Sequence, residues 1–276
     1  MTAEAWMGYL VDEHSDFTVV QSPFVQEKRR VFGADSDATT LAVAAVLHRI
    51  RAGPLGVLSV PDGIDASTVQ VATGVTLLQD DSEHDSDWDL LLSDEATVVL
   101  AKCDADVELA QLDVFVEVDD EFNDAIEAAW AAELASHHVS QGAYVSQSQY
   151  AEAARSRLSL EGLRLGSNIQ WPPRFSGPVD GEEHEAHHLS RTGAIQSWTT
   201  LSAAGAPSEF ALRAPLLGGI STVFVQLDDG PKGVFLVVDD EDAMLEMDAP
   251  IELVLRRVYA QEGFIRYGLK ARSISS

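Results

Sequence analysis

The stretch LEGLRLGSNIQWPPRFSGPVD, Leu160 to Asp180, divides the chain. Before it the patterns mix helices and strands. After it, from Gly193 onward, they are all-β. The stretch itself is short runs between turn formers: a Leu160-Glu161-Gly162 lead-in, then Trp171-Pro172-Pro173-Arg174, then Gly177-Pro178-Val179-Asp180. It holds no cysteine, and Cys103 is the only one in the chain. No thiolate in this stretch can hold a metal, and no intramolecular disulfide can form.

Downstream, Ala194–Leu201, Ser221–Leu227, Gly233–Val238, Ile251–Tyr259 and Phe264–Ala271 read as strands. Asp228-Asp229-Gly230-Pro231 is strong turn chemistry between the second and third. The last two are joined around Glu262-Gly263. Short strands at this spacing predict a small closed barrel of the OB type over residues 193–276.

Upstream, residues 1–120 read as an α/β domain and 121–159 as a helical linker. Phe17–Val20 suits a strand. Asp35-Ser36-Asp37 offers N-cap chemistry for a helix from Thr39 to Arg51, which Gly53-Pro54 stops. Leu55–Val60 is a short apolar strand and Ala66–Gly74 a second helix. Valine-rich strands follow at Ala96–Ala101 and Leu112–Val118. Phe122–His138 is helical by composition, with Ile126, Trp130 and Leu134 on one stripe, and a further helix spans Ser146–Leu158.

Charge narrows the setting. The chain has 276 residues, of which 18 are basic and 45 acidic, a net charge of −27. Only Lys28, Lys102, Lys232 and Lys270 are lysines. The acids are spread along the chain, as in Asp80-Asp81, Asp119-Asp120, Asp228-Asp229 and Asp239-Asp240. That pattern suits molar salt, where the Debye length is about 3 Å and self-repulsion is screened. It predicts a halophile's cytoplasmic protein. No basic stripe exists to release counterions from phosphates, which argues against nucleic acid. No run of 18 apolar residues predicts a membrane span.

From about Ser146 to Arg272 the chain resembles the zinc-ribbon plus OB-fold proteins associated with acyl-CoA enzymes. In archaea these accompany thiolase and hydroxymethylglutaryl-CoA synthase. The matching pieces are Leu160-Glu161-Gly162, Trp171-Pro172-Pro173-Arg174 and Gly177-Pro178-Val179-Asp180. Further on come Gly193, Ile195, Ser197 and Thr199 at alternate positions, Leu227–Pro231, Ile251–Arg257, and Arg266-Tyr267-Gly268 with Lys270. The two cysteine knuckles of such a ribbon fall on Leu165 and Asn168, then on Gly177 and Asp180. The resemblance therefore implies a relic ribbon over 160–192 with zinc lost and no cofactor. More faintly, Glu27-Lys28-Arg29 with Gly33–Val43 is similar to an early stretch of hydroxymethylglutaryl-CoA synthase, which implies a degenerate thiolase-like fold for residues 1–120. The fold class expected is thus α+β: an α/β domain, a helical linker, a relic ribbon and an OB-type barrel.

The resemblance implies a non-catalytic accessory subunit of an acyl-CoA-condensing thiolase complex. Its partners would be a catalytic thiolase subunit, with hydroxymethylglutaryl-CoA synthase as a second, in a hetero-oligomer that shares an acyl-CoA site. A stand-alone acyl-CoA-binding module and a degenerate synthase-like enzyme are the alternatives. Trp171, Pro172, Pro173 and Arg174 are candidates for partner or CoA binding, because a rigid proline pair beside Trp and Arg makes a low-entropy contact surface. The same residues also suit a turn pinning ribbon to barrel. Arg256 and Arg257 alternate on a strand, so one is expected to face outward toward a phosphate or carboxylate. His184, His187 and His188, with Glu182, Glu183 and Glu185, form the one metal-like cluster. A helix there would align His184 with His188, but the H-E-x-x-H order is missing. Cys103 lies beside Asp104 in a setting that disfavours a thiolate, so it reads as a bystander rather than a nucleophile. No phosphate-loop or nucleophile-elbow motif is present.

Overall fold

The computed structural model describes residues 4–79, 85–107, 109, 114–136, 155, 157–173, 185–241 and 245–274. The chain divides into two compact units, residues 1–127 and 128–276.

The first unit opens with strands β1 (Glu4–Trp6), β2 (Tyr9–Glu13), β3 (Phe17–Gln21), β4 (Phe24–Gln26) and β5 (Arg29–Arg30). Helix α1 (Ala38–Ile50) follows, then β6 (Val57–Ser59), α2 (Ala66–Thr73), β7 (Thr76–Leu77), β8 (Trp88–Leu92), β9 (Thr97–Lys102) and β10 (Val116–Glu117). Asp37 starts α1 as the sequence predicts. Its carboxylate accepts from the Thr40 N–H at 3.0 Å, and Thr40 Oγ1 accepts from the Asp37 N–H at 2.9 Å. Tyr9 pins the same corner, with its hydroxyl 2.9 Å from Thr40 Oγ1. Asp65 caps α2 by accepting from Thr68, and Gly74 ends it at φ 73°.

Seven strands form one mixed sheet in the order β1-β2-β3-β9-β8-β6-β7. Its centre is β3 against β9, where Thr18–Gln21 and Thr97–Ala101 are buried on both faces. That double burial explains their continuous β-branched runs. Helix α1 packs on β3 and β9 and is itself buried from Thr39 to Val46. A second, small sheet is ordered β10-β4-β5.

Helix α3 (Asp120–Leu134) carries the chain past the division. In the second unit, β11 (Glu161–Leu165), β12 (Asn168–Gln170) and β13 (Glu185–His188) make a three-stranded sheet in the order β12-β11-β13. The first pair of knuckle positions, Leu165 and Asn168, are register partners across a two-residue hairpin turn, where Gly166 supplies φ 58°. The second pair, Gly177 and Asp180, lies outside the described residues. The segment ending at His188, where only a helix would have aligned His184 with His188, is strand β13, an antiparallel edge on β11.

Five strands close into a barrel: β14 (Thr192–Leu201), β15 (Ile220–Leu227), β16 (Lys232–Val237), β17 (Pro250–Gln261) and β18 (Phe264–Ser273). The order is β14-β15-β16-β18-β17, and only β16 and β18 pair parallel. This is the arrangement of an OB-type barrel, and its five strands fall within a few residues of those read from sequence. The β17–β18 hairpin turns through Glu262 (φ 52°) and Gly263 (φ 78°), the left-handed pair that a two-residue loop demands. Its tip then caps the end of α3. The Glu262 and Gly263 amides donate to the carbonyls of Ser136 and Leu134 at 2.9 and 2.8 Å.

Candidate functional site

A cavity of about 430 Å³ opens on the barrel wall formed by β16, β17 and β18. Its walls are mostly apolar, with Phe235, Tyr259 and Tyr267 among them. Pro172 forms part of the rim, and Arg157 and Arg266 bring two exposed guanidinium groups to it. Trp171 supports this rim. Its ring stacks on Phe235 with centroids 5.9 Å apart and planes at 20°. It also lies over Gly233, where an added Cβ would come within 2.8 Å of Trp171 Cζ3. Gly268 lets the neighbouring strands close in the same way, since a Cβ there would meet Val258 Cγ2 at 2.7 Å. An apolar hollow with a few convergent polar groups is the usual form of a small-molecule site. Two guanidinium groups on an otherwise acidic chain favour an amphipathic anion.

The structure thus brings Pro172 into the cavity lining and stacks Trp171 on the lining residue Phe235, with Pro173 half-buried beside them. Arg174 lies outside the described residues. The arginines joining the site are Arg157 and Arg266. The sequence offered Arg266 within a matching piece but gave no spacing signal that would unite it with Arg157.

Arg256 and Arg257 do something else. Strand alternation predicted one of them to face outward, yet they are only 1% and 6% exposed. Both faces of β17 are covered at this point. The Arg256 guanidinium lies 3.7 Å from the Asp240 carboxylate, and that of Arg257 sits 4.4 Å from the Trp130 ring of α3. Trp130 also takes Arg213, at 3.7 Å. Arg213 is 0% exposed. Its Nε donates to both oxygens of Glu133 at 2.9 and 3.0 Å, and its Nη2 donates to the Val258 carbonyl at 2.8 Å. Asp239 approaches Arg213 Nη1 at 3.4 Å and accepts from Lys270 at 2.8 Å. Burial pushes the Glu133 carboxyl above its ordinary range, against the opposing pull of Arg213. Buried charges survive only when paired, and this network pairs them across α3, the β14–β15 connection, β17 and β18. Sequence reading missed it. The signal was Arg213 itself, a lone cation in the otherwise nearly uncharged stretch from Thr192 to Leu227.

His187 and His188 alternate on β13 and so point to opposite faces of its sheet. His187 Nδ1 is 2.7 Å from Arg164 Nη2, and its Nε2 is 3.7 Å from Asp229. His184 lies outside the described residues. Among the described residues, no group of three His, Cys, Asp or Glu side chains is arranged to hold a metal ion.

Cys103, in the first unit, is exposed at the end of β9. Asp104 is the main influence holding its thiol above the ordinary range, with Asp89 and Asp85 acting the same way. Alkylation by iodoacetamide at neutral pH is expected to be slower than for free cysteine, and Asp104→Asn should speed it. A rate above that of free cysteine would instead mark an activated nucleophile.

The fold is a mixed α+β chain whose OB-type barrel carries a mostly apolar hollow. No family model matches the chain, and no curated protein matches it. Among solved structures, a chain described as "Ltp2-ChsH2(DUF35) aldolase" is similar at 17% identity and a TM-score of 0.33, covering 48% of this chain and 98% of that one. A likeness at that score carries no functional argument. Among the described residues, no helix is long and apolar enough to cross a membrane.

Proposed function

We propose that this chain is a non-catalytic accessory subunit of an acyl-CoA-condensing thiolase complex, and that its barrel cavity receives part of the CoA. One observation carries the reading. Trp171-Pro172 and Arg266-Tyr267-Gly268 are two of the pieces that resemble the acyl-CoA-associated ribbon and barrel proteins. They are far apart in sequence, yet they meet in one hollow with apolar walls and a cationic rim. The apolar walls suit a pantetheine or acyl chain, and the guanidinium groups suit phosphate. The thiolase partner would supply the nucleophilic cysteine, which agrees with the acid-suppressed thiol of Cys103. On this reading residues 160–192 are a ribbon relic without zinc, residues 1–120 descend from a thiolase-like half, and the complex works in a salt-rich cytoplasm.

Because the hollow lies within one unit, a stand-alone acyl-CoA-binding module is the second reading. Co-expression with an acyl-CoA-condensing thiolase of the same organism, purified at about 2 M salt so that surface charges stay screened, separates the two. Co-purification, with condensation activity only in the complex, is the expected result. A partner-free monomer that binds CoA and leaves thiolase activity unchanged would establish the second reading instead.

A further inference from the structure

The hairpin of β17 and β18 is out of step at one point. Arg257 pairs with Tyr267 and Tyr259 pairs with Arg266, so β17 takes two steps where β18 takes one. Val258 is the extra residue of a β-bulge. Strand alternation turns neighbouring side chains to opposite faces. Here Val258 and Tyr259 share one. Arg256 stands opposite Gly268, and an added Cβ on Gly268 would meet Val258 Cγ2 at 2.7 Å, so Val258 faces the same side as Gly268. Two residues before Gly268 on β18 comes Arg266, on that same face, and Tyr259 is its partner. Packing agrees with the register. Val258 and Tyr259 both lie against the cluster of Phe210, Ala214 and Ile220, and both line the hollow. Without the bulge, Tyr259 would turn to the other face and leave the wall.

A bulge leaves its extra residue outside the ladder. The Val258 carbonyl is taken instead by Arg213, whose Nη2 donates to it at 2.8 Å. Arg213 is 0% exposed and does not line the hollow. Its own aim is fixed by Glu133, which accepts from Nε at 2.9 and 3.0 Å, and by the Trp130 ring 3.7 Å from its guanidinium carbon. Pairing a buried cation needs only a carboxylate. Reaching a main-chain carbonyl at the same time needs the planar fork of donors that arginine has and lysine lacks. A one-residue slip along a strand moves side chains to the opposite face. A buried donor aimed at one carbonyl opposes that slip.

We infer that Arg213 is a positioning residue for the hollow: it holds the β17 bulge at Val258, and the bulge sets Val258 and Tyr259 side by side in the wall. That the hollow receives CoA rests on the function proposed above; that Arg213 shapes the hollow does not.

The test uses the full chain at high salt, wild type against Glu133→Leu with Arg213→Met. This double variant removes the donor to Val258 without stranding a charge, so the fold should hold, and urea unfolding checks that it does. Expected are an affinity for pantetheine and for CoA lower by about tenfold or more, as when the support of a site is loosened. A crystal structure of the variant should show the bulge moved from Val258 and Tyr259 out of the wall. Arg213→Lys is the second variant, which keeps a cation for Glu133 without the fork, and it should lose affinity as well. A folded variant of either kind that binds both ligands as wild type does overturns the positioning role and leaves the CoA reading standing. Wild type that binds neither ligand overturns the CoA reading, and the variant's structure then decides the rest. A bulge unmoved at Val258 overturns the inference; a displaced one upholds it.

Discussion

Replacing Arg213 with alanine should destabilise the second unit by about 3–5 kcal/mol, the cost of stranding a buried charge. Arg213 is 0% exposed and Glu133 is 5% exposed. Without the guanidinium, Glu133 keeps its burial and loses its principal counter-charge, and the Val258 carbonyl loses its donor. Asp239 is better placed, because Lys270 still donates to it at 2.8 Å. Urea unfolding at fixed high salt reads the difference. The deficit should depend on pH in one direction. Burial already raises the folded-state Glu133 pKa above its unfolded value, and removing Arg213 raises it further. A raised carboxyl costs stability above its folded pKa, and that cost is relieved as pH falls toward the unfolded value. The gap between Arg213→Ala and wild type should therefore be widest at neutral pH and narrow in acid. A second variant, Glu133→Leu with Arg213→Met, removes both charges while keeping volume and should recover much of the loss. If the single and double variants are equally unstable, packing on Trp130 rather than charge pairing holds this corner together.

The corner also shows where sequence reading stopped. Local chemistry was legible: Asp37 opening α1, Gly74 closing α2, and Glu262-Gly263 turning the last hairpin all act through neighbours a few residues away. Alternation located the five barrel strands for the same reason. Coverage was not legible. Arg256 and Arg257 follow strand alternation, but α3 and Asp240 cover what would otherwise be an outer face. β1 and β2 escaped because their turn is made at Met7 (φ 53°) and Gly8, and a left-handed methionine gives no turn signal. β13 was not read as a strand, because its pairing with β11 is a long-range choice that local sequence does not announce. The cavity was half legible. Pro172, and Trp171 stacked behind it on Phe235, stood out by residue type. Phe235 and Tyr259 join Pro172 only through barrel closure, and Arg157 through the chain's long-range return to the barrel.

Reversing both rim arginines, Arg157→Glu with Arg266→Glu, should weaken CoA binding about a hundredfold, roughly tenfold for each charge-assisted hydrogen bond removed. Both groups are exposed at the cavity mouth, so the barrel should melt as before. Isothermal titration with CoA checks the affinity. Because phosphate interactions at an open rim are screened, the ratio between wild type and variant should shrink in molar salt and grow as salt is lowered. Pantetheine, which lacks the nucleotide phosphates, separates wall from rim. Its weaker binding should be nearly the same in both proteins if the arginines act on phosphate. Gly233→Val attacks the wall instead, because a Cβ there lies 2.8 Å from both Trp171 and Phe235 and must displace the stacked pair. That variant should lose pantetheine and CoA alike. If charge reversal leaves CoA affinity unchanged while Gly233→Val abolishes it, the hollow binds an apolar chain and the phosphates are held elsewhere. If neither change matters, the cavity is not the CoA site, and the accessory reading loses the observation that carries it.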